Sequence, residues 1–383
     1  MSVTAAAGFT AAGVTAGLKA SGGRDVAVVI NTGPLTSAAA VFTSNRAKAN
    51  PIIWSQQAMA DPVVSAVVLN SGGANCFTGA QGFQTTHATA EAVAQELGVS
   101  AGDVLVCSTG LIGEQLDREK VLAGVAAAIS GASDHGGADA AAAIMTTDTR
   151  PKTAVINRDG WTVGGMAKGA GMLAPALATM LVVITTDAVL SSAELDAALR
   201  EATRVSFDRL DSDGCMSTND QVTLMASGAS GITPELADFQ QALTALCSDL
   251  AHQLMADAEG ASHEITIEVT GALSEDDAIE VGRSVARNNL FKAAVFGNDP
   301  NWGRVLAAIG TTRAEFDPYN VDVSMNGVRV CHAGEPDQPR ELVDLTPRQL
   351  LLQIALGVGT ASATILTNDL THDYVHENSA YSS

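Results

Sequence analysis

Residues 161–187, WTVGGMAKGAGMLAPALATMLVVITTD, constrain this chain more than any other stretch, because an irregular glycine-rich approach runs into a β-prone apolar run across a single threonine. Gly164, Gly165, Gly169 and Gly171 permit backbone angles that side chains forbid, and Pro175 fixes one φ. Such a segment is suited to hold a strained peptide. Residues 180–186 are apolar and rich in β-branched side chains, the pattern of a buried strand, and Thr179 stands at its start. A threonine in that place ordinarily packs. A chemical reading stands beside the packing one. If the peptide bond between Ala178 and Thr179 were cut, Thr179 would carry both a hydroxyl nucleophile and a free α-amine, titrating near pH ~8, to act as its base. Attack of that hydroxyl on the Ala178 carbonyl, followed by hydrolysis of the ester, would make the cut.

A chain of 383 residues exceeds what one hydrophobic core serves, so two lobes or one large layered domain are expected. With 46% hydrophobic and 16% charged residues it has the composition of a compact soluble protein. The formal charge of −21, with no Lys/Arg cluster, argues against nucleic acid and anionic membranes, because both need a basic face. The longest apolar run, 350–366, contains Gln353 and two glycines and falls short of the ~20 residues of a membrane span. It reads as a helix end followed by a strand. Cys76, Cys107, Cys215, Cys247 and Cys331 are odd in number without a C-x-x-C pair, as buried reduced thiols of a cytoplasmic protein would be. No basic region precedes the apolar part of the N-terminus, so no signal peptide is expected.

Periodicity predicts strands at 26–30, 38–42, 63–70, 104–107, 153–157, 161–165, 180–186, 263–270, 292–296 and 321–325. It predicts helices at 86–96, from 117, from 138 on to Pro151, and at 192–203, 234–258, 275–288 and 347–355, before a polar tail. This alternation is that of an α/β protein with layered sheets and helices. No repeat or linker divides it, and the boundary it suggests is chemical, at Thr179.

Several motifs exclude chemistries. The acidic loop DRLDSDGCMSTND lacks calcium-loop spacing, and His372 and His376, four apart, have no supporting ligand set, so no metal is expected. There is no G-x-S-x-G elbow. Gly169, Gly171 and Ala174 fit a dinucleotide fingerprint, but Pro175 and a β-rich run follow where that fold needs a helix. Two polar glycine loops remain. NSGGANCFTG, 70–79, is of the kind that carries sites. The strand at 104–107, broken at Ser108, Thr109 and Gly110, offers a hydroxyl and a close N–H, which serves equally as an oxyanion hole or an ordinary strand-to-helix turn.

The run GGMAKGAGMLAP followed by LATML and ITTDA resembles the cleavage segment of the ornithine acetyltransferases, or glutamate N-acetyltransferases, of arginine biosynthesis. CSTGLIG, DPNWGR and the ends GFTAAGV and ENSAYSS extend the resemblance over nearly the whole chain. It implies self-cleavage between Ala178 and Thr179 into chains 1–178 and 179–383 that stay together, as an α2β2 heterotetramer, with Thr179 as nucleophile and acyl carrier. It makes Thr109 and Gly110 the oxyanion donors and Thr146, Lys168, Thr179, Glu259, Asn378 and Ser383 the substrate contacts. Most relatives end in threonine where this chain has Ser383, which keeps a hydroxyl and a terminal carboxylate.

The implied reaction is ping-pong transfer of an acetyl group from N-acetylornithine to glutamate, with acetyl-CoA as a second donor in bifunctional members, and no metal or organic cofactor. An ammonium at Lys168 would depress the α-amine pKa and pair with a substrate carboxylate, while Glu259 would face a substrate ammonium. Read from the residues alone, both are equally solvated surface charges. Two other readings stay open: a self-cleaved threonine aminopeptidase or amidase, and an uncut binding protein.

Overall fold

The computed structural model describes residues 2–172 and 180–380, with the side chain of Ala380 left out. Ala178, Thr179 and Ser383 lie outside the described residues, and so does Ala174 of the glycine motif. The chain divides into two compact units, the first running to Asp208 and resuming at Met216–Asp257, the second comprising Arg209–Cys215 and Ala258–Ser382.

The first unit contains strands β1 (Phe9–Val14), β2 (Val26–Asn31), β3 (Ser37–Phe42), β4 (Ala66–Ser71), β5 (Val104–Thr109), β6 (Lys152–Arg158), β7 (Trp161–Lys168), β8 (Leu181–Thr186) and β9 (Gln221–Ala226). Its helices are α1 (Asn50–Ala58), α2 (Gly79–Leu97), α3 (Arg118–Ser130), α4 (Gly137–Ala143), α5 (Ser192–Arg204) and α6 (Leu236–Ala256). One sheet is ordered β1-β2-β4-β5, the other β3-β9-β8-β7-β6.

The period of two in a strand explains the layering. Along β2, Val26 and Val28 enter a core with Ala90 and Val93 of α2 and Val121 and Val125 of α3. Ala27 and Val29 enter another core, shared with Met166, Leu181 and Val183 of the opposite sheet. α5 and α6 pack on that sheet's far side, giving four layers, α/β/β/α. Both sheets are therefore covered on both faces, and β2, β4, β5, β8 and β9 are buried throughout.

In the second unit, β10 (Glu264–Ala272), β11 (Asp322–Met325), β12 (Val328–His332), β13 (Glu335–Pro336), β14 (Gln349–Ala355) and β15 (Ala361–Asn368) form one sheet, ordered β13-β12-β11-β14-β10-β15. Helices α7 (Glu275–Ala286), α8 (Asn289–Phe296) and α9 (Trp302–Ile309) add Val281, Phe291, Val305 and Trp302 to its core. α10 (His372–Ala380) follows β15.

The layered α/β class stands, with five local corrections. Residues 292–296 are helix: Asn288 caps α8 through the Phe291 N–H, and an apolar run that short fits either state. The helix expected at 347–355 is strand from Gln349 on, because Leu350, Leu352 and Ile354 alternate inward and pair with β10 in parallel. The helix at 138 stops at Ala143 well before Pro151, and β5 continues through Ser108 and Thr109. The polar tail contains α10. Four cysteines are buried but Cys215 is exposed.

Candidate active site

The strand β5 ends at Thr109, whose carbonyl accepts the Gly73 N–H at 2.9 Å. The next residue has to be glycine: Gly110 has φ +125°, and a Cβ there would lie 2.6 Å from the Gly73 nitrogen. The loop 70–79 is the brace behind this turn. Ser108 Oγ donates to Asn70 Oδ1 at 2.6 Å, and the Asn219 amide donates to the carbonyls of Ala74 and Ser108 at 2.6 and 2.8 Å.

Lys168 closes β7 and is 1% exposed, so the surface-charge reading fails for it. Its Nζ donates to Thr109 Oγ1 at 3.1 Å and Thr146 Oγ1 at 2.9 Å. Three of the expected residues thus meet at one buried ammonium, with Gly110 adjoining. Lys168 is in register with Leu181, the first residue of β8. Of the glycine-rich approach, Met172 takes a left-handed φ of +55°, which a non-glycine side chain adopts at a cost.

Acidic partners that no sequence motif marked support this centre. Asp148 Oδ2 accepts the Thr146 N–H at 3.0 Å, and Oδ1 accepts the Gly169 N–H at 2.7 Å and Lys152 Nζ at 2.5 Å. Lys152 also donates to Asp257 Oδ2 at 2.5 Å. Burial alone would raise the Asp148 pKa, but Lys168 and Lys152 outweigh it and hold the carboxyl below its usual range. Asp220, 0% exposed, accepts the Met180 N–H at 2.9 Å. Burial pushes this carboxyl well above the usual range, against the opposing pull of the Met180 N–H, the Ser217 hydroxyl, Lys168 and the Thr43 hydroxyl. Asp148 and Asp220 could be noticed in the sequence only as acids bordering apolar strands; their partners are distant in the chain.

In the second unit, Asn378 on α10 donates to Glu259 Oε2 at 3.0 Å. The chain turns at Gly260, φ +60°, where a Cβ would meet the Tyr374 nitrogen at 2.2 Å, and Thr371 Oγ1 donates to the Gly260 carbonyl at 2.6 Å. Glu259 is half-buried and lies beyond the end of α6 rather than on it. Tyr374 is pushed up to about 12 by burial first, then by Asp213 and Glu259. His263 is structural, bonded to Asp369 and the Leu345 carbonyl, each at 2.8 Å. Among the described residues no His, Cys, Asp or Glu group of three or more is placed to hold a metal ion.

Such a centre is chemically suited to anionic or carbonyl oxygen: one buried ammonium, two hydroxyls and a tight glycine turn. A family model described as the ArgJ family matches residues 10–383. The chain is 63% identical to the arginine biosynthesis bifunctional protein ArgJ of Streptomyces avermitilis, over 100% of both chains. The chain belongs to the ArgJ family. As an ArgJ-family member it is an acetyltransferase of arginine biosynthesis. It is also 56% identical to the ArgJ of Mycobacterium leprae, covering 100% of this chain and 96% of that one. The solved ornithine acetyltransferase from Mycobacterium tuberculosis, complexed with ornithine, is 56% identical, with a TM-score of 0.46 over 46% of this chain and 96% of that one. No helix among the described residues is long and apolar enough to cross a membrane.

Proposed function

We propose that this ArgJ-family chain cuts itself between Ala178 and Thr179 and then transfers acetyl from N-acetylornithine to glutamate through an acetyl-Thr179 ester. The observation that carries the reading is the buried Lys168 ammonium, bonded to Thr109 and Thr146, on the strand that leads to the expected cut. In the forward half-reaction Thr179 Oγ attacks the acetyl carbonyl of N-acetylornithine and its proton passes to the α-amine. Thr109 Oγ1 and the Gly110 N–H receive the developing oxyanion. Ornithine leaves with a proton, and the amine of glutamate attacks the ester to give N-acetylglutamate.

Lys168 and Thr146 then serve the substrate's α-carboxylate. Glu259, held by Asn378, faces a substrate ammonium, and Ser383 closes the set. The name bifunctional, borne by the relatives, supports acetyl-CoA as a second donor. The two chains remain together in the cytoplasm as an α2β2 assembly. N-terminal sequencing and product analysis test this. The expected results are a fragment beginning at Thr179 and N-acetylglutamate formed with ornithine. Free acetate formed without glutamate would make the protein an amidase, and one uncut chain without turnover would make it a binding protein.

A further inference from the structure

Asn219 and Asp220 are neighbours just ahead of β9, and their buried side chains reach two different sheets of the first unit. Asp220 Oδ1 accepts the Met180 N–H at 2.9 Å, and the Met180 carbonyl accepts the Gln221 N–H at 3.1 Å, so the residue leading into β8 is held in place. Asn219, 3% exposed, reaches across to the sheet that contains β4 and β5. Its Nδ2 donates to the Ser108 carbonyl at 2.8 Å and to the Ala74 carbonyl at 2.6 Å, while its Oδ1 accepts the Thr218 hydroxyl at 2.5 Å. Ser108 lies one residue before Thr109, and Ala74 one after Gly73, whose N–H donates to the Thr109 carbonyl at 2.9 Å. The Thr109–Gly110 peptide is thus bracketed, and because a trans peptide points its N–H away from its carbonyl, the Gly110 N–H is turned away from the glycine loop. Lys168 holds the side chain of this turn through Thr109 Oγ1, and Asn219 holds its main chain.

We infer that Asn219 is the positioning residue of the oxyanion turn, acting on the reaction through Thr109 and Gly110 without touching substrate, an inference that rests on the oxyanion role proposed for those two residues. Both protons of its amide are engaged by backbone carbonyls, so neither is left for a ligand. The residue type fits the task. Aspartate would set an acceptor against two carbonyls, and alanine would leave both buried carbonyls without this donor. Oxyanion donors speed a reaction when they are already aimed at the place where charge develops. A turn freed from Asn219 therefore loses transition-state stabilisation, while the ground-state binding assigned to Lys168 and Thr146 persists. Asp220, the next residue, ties the same short segment to Met180, so one piece of chain sets both the oxyanion turn and the start of β8.

The test is steady-state kinetics of the cut enzyme, with N-acetylornithine and glutamate, in a double-mutant cycle of Thr109→Ala, Asn219→Ala and the two together. We expect Asn219→Ala to lower kcat at least ~10-fold with the KM for N-acetylornithine within ~2-fold of wild type. The combined loss in kcat should fall at least ~3-fold short of the product of the single losses, because both act on one turn. A raised KM with kcat kept, unchanged kinetics, or two losses that multiply would make Asn219 a structural residue and overturn the inference. If Asn219→Ala does not melt cooperatively, Asn219→Ser, which keeps one donor, takes its place in the cycle and is judged by the same coupling. An Asn219 variant that stays uncut while Thr109→Ala is cut places its effect outside the turn and overturns the inference as well. Thr109→Ala with wild-type turnover defeats the oxyanion reading itself, which separates that failure from failure of Asn219 alone.

Discussion

Lys168 and Leu181 are partners in the antiparallel register of β7 and β8, so the chain that leaves the sheet at a buried ammonium returns beside it. The residue types around that ammonium then decide what a substitution does. Lys168→Met keeps the stem and removes the charge that Thr109 and Thr146 share. Turnover by the mature enzyme should fall by about a hundredfold or more if the charge, besides pairing with the substrate carboxylate, keeps the proposed α-amine base neutral. A mutant with normal kcat and only a raised KM would make Lys168 a substrate clamp alone. Steady-state kinetics with N-acetylornithine and glutamate separate the two.

Thr109 and Gly110 make opposite kinds of prediction. Thr109→Ala removes one of the two proposed oxyanion donors with little change in shape, so kcat should drop about a hundredfold while the melting temperature holds. Gly110→Ala adds a Cβ 2.6 Å from the Gly73 nitrogen at a backbone angle alanine disfavours. That variant should lose about 1–3 kcal/mol of stability in denaturant titration. An unchanged midpoint for Gly110→Ala would mean that the turn relaxes and is not the constraint described.

Much of the layered α/β architecture was legible because apolar runs such as 26–30 and 180–186 are long, β-branched and bounded by turns. It failed where local preference and tertiary pairing disagree. The leucines of 350–352 favour helix, but β10 and β11 supply ladders on both sides and the run is strand. The site was legible only by resemblance, which pointed to Thr109, Thr146 and Lys168. Burial of Lys168 could not be seen, because the acids near it come from other segments. Asp148 belongs to the loop before β6 and Asp220 precedes β9, and neither stands in a motif with the lysine.

Asp148, Lys152 and Asp257 form a buried ionic cluster behind Thr146 and Gly169. Lys152→Met would leave two carboxylates buried without their shared cation, and should cost about 3–5 kcal/mol. Asp148→Asn tests the pH dependence. The Asp148 carboxyl titrates lower in the folded chain than in the unfolded one, so the folded state binds fewer protons across that interval. The stability it contributes is present above the unfolded value of 3.8 and is lost as pH falls through the folded one. The difference in stability between wild type and Asp148→Asn should therefore be full at neutral pH and shrink in acid. A difference that stays constant from neutral pH down to the unfolded protein's acid limit would remove Asp148 from the account.

Glu259 and Asn378 allow binding to be tested apart from chemistry. Asn378 reaches Glu259 from α10, whose start is tied to Gly260 by Thr371. A carboxylate positioned this way suits a substrate ammonium, and charge-assisted hydrogen bonds are about twice as strong as neutral ones. Glu259→Gln keeps the size and the Asn378 contact but removes the charge, so KM for N-acetylornithine should rise about tenfold or more with a smaller change in kcat. Asn378→Ala leaves the charge unsupported and should raise KM less. Equal loss of kcat and kcat/KM in Glu259→Gln would instead mean that the carboxylate acts on the transition state. If the second variant then adds nothing to the first, the two side chains work as one unit, with Asn378 acting through Glu259.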